Sequence, residues 1–288
     1  MRYLSIGELA ERTGVPSDTL RAWERRYGLV RPQRTPGGHR RYDEHDVARV
    51  VHARRLTEQG LPISVAARRV TEPAEPQRLT DVPGPLRRLR QAVRQATERL
   101  DADGIHAPLR RARDQVGLAR TLDVLAVPLL WELGDHWRGS PRKIAREHLT
   151  STMLRSFLIE EIRGAAGRGP VCIAACPDRE QHELGAIMAA AAMAETGWRP
   201  LVLGASTPWA TIDTVVAEIE PTVLFIGATM ITRGPLVPAG WDPPTGTLVV
   251  VGGPGVPSSL AEVLPTVRVH QDSYSRLPSA IAQWTDRA

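Results

Sequence analysis

Beyond Pro170 the chain becomes a series of short apolar runs separated by helical stretches, and this restricts the fold more than anything else in its 288 residues. The runs are VCIAAC from Val171, PLVLG from Pro200, TVLFIG from Thr222, TLVVVGG from Thr247 and TVRVH from Thr266. Helices are expected between them over Gln181 to Glu195 and Trp209 to Glu220, with a short one near Ser258 to Leu264. Short continuous apolar runs are strands covered on both faces, and strands alternating with helices pair in parallel through crossovers. Residues 170–288 are therefore expected to form an α/β doubly wound sheet whose ligand sits beyond the carboxyl ends of the strands. The loops after the strands are where chemistry is sought.

Two other textures precede it, making the chain multidomain. In residues 1–72 short amphipathic helices alternate with Gly/Pro punctuation at Gly14-Val15-Pro16 and Thr35-Pro36-Gly37-Gly38. Thr71 to Pro85 reads as a linker, and over residues 86–166 apolar residues recur at helical spacing, predicting a bundle of about four helices. No stretch approaches the roughly 20 apolar residues of a membrane helix, and the N-terminus lacks the apolar core of a secretory signal, so a cytoplasmic protein with no membrane partner is expected. Cys172 and Cys176 lie inside an apolar run and read as buried thiols rather than a disulfide or zinc site. Charge is uneven. Residues 1–70 hold fourteen arginines against eight acidic residues, net +6, whereas the whole chain is +5. A basic first module on a near-neutral body is the electrostatic footprint of a phosphate contact.

Within that module Ser5 opens a first helix, Gly14-Val15-Pro16 makes a turn, and Ser17 to Arg26 gives a second helix with Thr19, Arg21 and Arg25 free to face a major groove. The segment RTPGGHRRY then permits a tight hairpin in which Arg34, His39, Arg40 and Arg41 point donors outward as a wing. The run TLRAWERRYGLVRPQRTPGGHRRYDEHDV resembles the winged helix-turn-helix DNA-binding domain of the MerR family over about the first seventy residues. The resemblance assigns Arg21, Trp23, Glu24, Arg25 and Tyr27 to the recognition helix and its support, with Trp23 packing. It assigns Arg34, Gly38, His39, Arg40 and Tyr42 to the wing, and implies double-stranded operator DNA and a second copy of the chain as partners.

In the last module His182 follows the first strand and precedes a helix. An imidazole there can ligate a transition metal, and Glu180 can orient its other nitrogen. Gly227, Ala228 and Thr229 follow one strand and Gly252-Gly253 another, where missing side chains leave room for a flat ligand. Together these residues resemble the Asp-x-His-x-x-Gly, Ser-x-Leu, Gly-Gly signature of the flavodoxin-like cobalamin-binding domains of methionine synthase and B12-dependent mutases. The resemblance implies His182 as the lower cobalt ligand and Glu180 as its hydrogen-bond partner. Gly185 would open the cleft for the nucleotide tail, with Gly227, Thr229, Gly252 and Gly253 beside it. Glu180 stands where the motif more often has Asp, and Gly227 or Ala228, depending on alignment, replaces the serine.

The segment Val127 to Leu158, with Gly134, Trp137, Gly139, Glu147 and His148, resembles the helical cap that precedes the cobalamin domain in regulators of the CarH/LitR type. By that resemblance Trp137 packs on the upper ligand of adenosylcobalamin, with methylcobalamin the alternative, and Glu147 and His148 supply polar contacts. Light-sensing relatives can carry a histidine after the cap tryptophan, and here Arg138 follows it. The chain is thus expected to be a non-enzymatic, cobalamin-dependent and light-responsive repressor, a dimer or tetramer. Two alternatives stand beside this: a regulator with a degenerate cobalamin domain, and a corrinoid methyltransferase or mutase component.

Overall fold

The computed structural model describes residues 3–30, 32–35, 37–58, 63–71, 82–136, 141–165, 167–229, 236–238, 240–256, 260 and 264–286. Two compact units result, Met1–Pro76 and Gln77–Ala288.

The first unit contains α1 (Ile6–Thr13), α2 (Ser17–Tyr27), a hairpin of β1 (Gln33–Arg34) and β2 (Arg40–Arg41), α3 (Glu44–Glu58) and α4 (Ile63–Thr71). Helix α1 starts at a reciprocal cap: Ser5 Oγ accepts from the Glu8 amide at 3.3 Å while Glu8 accepts from the Ser5 amide at 2.7 Å. It stops at Gly14, whose φ of 67° needs no Cβ. The core is Leu9, Leu20, Leu29, Tyr42, Val50, Ala53 and Ala67, each fully buried, with Trp23 and Tyr27 packed against it.

In the second unit α5 (Gly84–Arg99), α6 (Ala102–Val116), a continuous helical run and α9 (Pro141–Gly164) form the bundle. The run comprises α7 (Leu118–Thr121), a π-helical turn (Leu122–Ala126) and α8 (Val127–His136). Next come β3 (Val171–Pro177), α10 (Leu184–Glu195), β4 (Arg199–Thr207), α11 (Trp209–Ile219), β5 (Val223–Gly227), β6 (Leu248–Gly252), β7 (Val267–His270) and α12 (Leu277–Thr285). All five strands pair in parallel in the order β4-β3-β5-β6-β7. The chain therefore reverses direction across the sheet between β3 and β5, the switch point at which doubly wound sheets bind ligands. The short helix expected near Ser258 to Leu264 falls largely outside the described residues, as does most of the expected linker.

Bundle and sheet share one core, in which Leu122, Leu125, Leu154, Phe157 and Leu158 meet Ile187, Met188 and Ala191 of α10. Polar contacts fix the docking. Glu195 accepts from the Leu118 and Ala119 amides at 2.5 and 2.8 Å, capping α7 from the end of α10. Asp123, in the π-helical turn, accepts from the Tyr274 and Ser275 amides at 2.7 and 3.2 Å. Arg155 of α9 donates to Glu183 at 2.6 Å, and Glu183 also accepts from the Ala205 amide at 3.2 Å. Among the described residues no helix is long and apolar enough to cross a membrane.

Candidate ligand site and nucleic-acid interface

The loop between β3 and α10 is built around Glu180. Its side chain is fully buried, which costs free energy unless its oxygens are hydrogen-bonded. Donors that meet that need include the His182 amide and the Thr229 amide, each at 2.8 Å, and His182 Nδ1, also at 2.8 Å. The Glu180 carbonyl in turn accepts from the Ser206 amide at 2.8 Å. One carboxylate thus ties the loops after β3 and β5 together while its own loop is stitched to the end of β4.

Because a carboxylate accepts, Nδ1 carries the proton, and the lone pair of neutral His182 is on Nε2. The ring is about half exposed (53 %). Its pKa is raised, first by the hydrogen bond to Glu180, against an opposing effect of burial, with the charge of Glu147 adding a further rise. Glu147 lies on α9. It accepts from Ser151 at 3.0 Å and lies 3.6 Å from His148 Nε2, whose side chain is 74 % exposed. The expected cap residue Trp137, with Arg138 and Gly139, lies outside the described residues, and Gly134 and His136 close α8.

Three of the glycines sit in close contact with the protein itself. A Cβ on Gly227 would sit 2.9 Å from the Ala186 Cβ, one on Gly252 2.6 Å from the Phe225 ring, and one on Gly253 would run into the Ala228 carbonyl. Gly253 also has a φ of 112°. The space left by these three missing side chains is filled by the protein, bringing the ends of β5 and β6 and the start of α10 into close approach. Gly185 differs, since a Cβ there would meet the Tyr274 hydroxyl at 3.6 Å and Thr229 Oγ1 at 3.9 Å, ordinary contacts. The Tyr274 hydroxyl donates to the Gly185 carbonyl at 3.3 Å, and burial pushes that phenol up. The spacing of the chain carries no sign of Tyr274 or Asp123, which reach this neighbourhood from distant elements.

In the first unit Arg21 and Arg25 are exposed on α2 and Thr19 is half-buried. Arg21 lies 3.5 Å from Asp18. Two ladder pairs, Gln33 with Arg41 and Arg34 with Arg40, define the hairpin, and Gly38 turns it with a φ of 80°. His39 and Arg41 are exposed. Two wing residues depart from expectation. Arg40 does not simply point outward: its Nε donates to both oxygens of Glu24 at 2.9 and 3.0 Å, because that carboxylate on α2 is the nearest anion. Tyr42 is fully buried in the core with its hydroxyl donating to Glu24 at 3.2 Å, and burial pushes its pKa up to about 12.

Residues 4–72 match the MerR HTH regulatory protein family. Over 243 residues, 78 % of each chain, the sequence is 31 % identical to the HTH-type transcriptional repressor CarH of Myxococcus xanthus. Over 228 residues it is 34 % identical to the HTH-type transcriptional repressor CarA of the same organism, covering 77 % of this chain and 75 % of that one. The fold of the monomethylamine corrinoid protein of Methanosarcina barkeri matches with a TM-score of 0.51 at 13 % identity, covering 68 % of this chain and 96 % of that one. At that identity the likeness is one of fold.

Proposed function

Because the chain belongs to the family of the HTH-type transcriptional repressors CarH and CarA, we propose that it is a repressor whose binding to double-stranded DNA is controlled by a cobalamin held in its second unit. One observation carries the cofactor assignment: His182 stands at the sheet's switch point with Nδ1 fixed by a buried carboxylate and the Nε2 lone pair on a half-exposed ring. That is the donor set of an oriented metal-ligating histidine.

His182 would ligate the cobalt from below, Glu180 would hold the ring and its tautomer, and Gly185 with Thr229 would line the approach of the nucleotide tail. Glu147 and His148 on α9, and Trp137 before it, would cover the upper face. The cofactor supplies a light-sensitive cobalt–carbon bond when an alkyl group is its upper ligand, adenosylcobalamin being favoured over methylcobalamin. No reaction on a substrate is required, and the regulator is read as non-enzymatic. It acts in the cytoplasm, where operator DNA is reached through Arg21 and Arg25 of α2 and the wing, as a dimer or tetramer.

The test is the absorption spectrum of the purified full chain after incubation with adenosylcobalamin in darkness and gel filtration. A coloured complex eluting with the protein supports the reading. Protein that elutes colourless at saturating cofactor overturns it in favour of a degenerate cobalamin module.

A further inference from the structure

The recognition helix carries an acid where a polyanion is to dock. Glu24 lies on α2, its side chain only 16 % exposed, and its two oxygens take Arg40 Nε from the wing and the Tyr42 hydroxyl from the residue where the wing rejoins the core. A carboxylate near phosphates repels them, so its contribution to binding must be geometric. The wing needs such help. Its strands are two residues each, and a hairpin that short does not hold its own position. Its far end is already fixed, since Leu4 and Tyr42 exchange backbone hydrogen bonds at 2.8 and 2.9 Å and Asp43 and Asp46 cap each other at the start of α3. What remains is the angle between wing and recognition helix, and the Glu24 to Arg40 ion pair spans that gap.

We propose that Glu24 is a positioning residue of the DNA interface, an internal strut that sets the wing against the recognition helix so that both reach phosphates together. The proposal rests on the DNA-binding reading above. Glu24→Gln is the informative change, because glutamine keeps the shape and can still accept from Tyr42 but loses the charge that holds Arg40. Simple electrostatics predicts that removing a negative charge tightens DNA binding. A strut predicts the opposite.

The probe is a labelled duplex selected from a random library by the wild-type full chain, with affinity measured from low to moderate salt. Glu24→Gln is expected to bind about tenfold more weakly, with a shallower dependence of log affinity on log salt, by about one unit for each phosphate that the wing no longer reaches. Glu11→Gln, an exposed acid on α1, is expected to bind as wild type or slightly tighter. In an Arg40→Gln background, Glu24→Gln is expected to change nothing further, which separates the strut from a general loss of folding. Glu24→Gln binding as tightly as wild type, weaker binding with an unchanged salt slope, or an undiminished effect without Arg40 overturns the proposal. If wild type enriches no duplex at all, the DNA-binding reading itself fails.

Discussion

The place of His182 is legible from sequence because its loop follows β3, a strand whose apolar run marks it as buried, at the switch point of the sheet. Replacing it with alanine removes the only metal donor proposed below the cofactor. His182→Ala is expected to lose most cobalamin uptake in a spectral titration, whereas wild-type titration would remove the assignment. Glu180→Gln still accepts but brings a side-chain donor among amide donors, so the expected effect is a milder weakening through ring orientation. On the DNA side Arg21→Ala removes an exposed donor from α2. It is expected to weaken duplex binding while cofactor uptake is unchanged, read by mobility shift and titration on the same sample. Burial holds the Cys172 and Cys176 thiols up at about 12, so the thiolate that reacts with alkylating agents is scarce at neutral pH. Native protein is accordingly expected to resist iodoacetamide until unfolded. Arg40 is among the least legible residues: it reads as an outward donor of the wing, and only folding reveals that it turns to Glu24, the carboxylate that the buried Tyr42 hydroxyl also reaches.

Strands announce themselves where both faces are buried, since VCIAAC, TVLFIG and TLVVVG have no polar alternation to blur them. At the edge of the sheet the reading falls short. β4 continues to Thr207 beyond the expected PLVLG, because Gly204 and Ser206 take positive φ values of 89° and 48° and shift the register without ending the pairing. The π-helical turn and the carboxylates that dock the bundle have no local signature, because Asp123 and Tyr274 are brought together across 151 residues of chain. The glycines after β5 and β6 are legible as special positions, and the close packing of the protein around them is not. Gly253→Ala therefore forces a Cβ against a carbonyl at an unfavourable φ, and a loss of about 3 kcal/mol is expected in chemical denaturation. Glu195→Ala leaves two amides at the start of α7 without their acceptor. Loss of such a cap costs about 1–2 kcal/mol, so the thermal midpoint of the second unit is expected to fall by about 3–6 °C. An unchanged midpoint would mean that the apolar core alone docks the bundle.

At the scale of the whole chain, the proposed function requires a cofactor in one unit to alter DNA binding by the other. A ligand shifts an equilibrium only by binding its states unequally, so some surface must differ between cofactor states. Wholesale release of the bundle is an expensive route, because Glu195, Asp123 and the Arg155–Glu183 pair fasten it to the sheet layer over a shared apolar core. In the proposed regulator a change confined to the cofactor's surroundings would be cheaper. Photolysis of an alkyl upper ligand would supply such a change on the proposed reading. Arg138, a guanidinium with no lone pair to offer a metal, follows Trp137 where a histidine could have captured the cobalt. The changed state should then not be locked by a protein ligand from that position. Green light on the adenosylcobalamin complex is therefore expected to change its elution volume and weaken duplex binding, with dark-state assembly recovered after adding fresh adenosylcobalamin. Gel filtration and mobility shifts before illumination, after it and after replenishment measure each step. Complete photolysis by absorption with assembly and affinity unchanged would make the chain a chemical sensor of cobalamin rather than a light receptor.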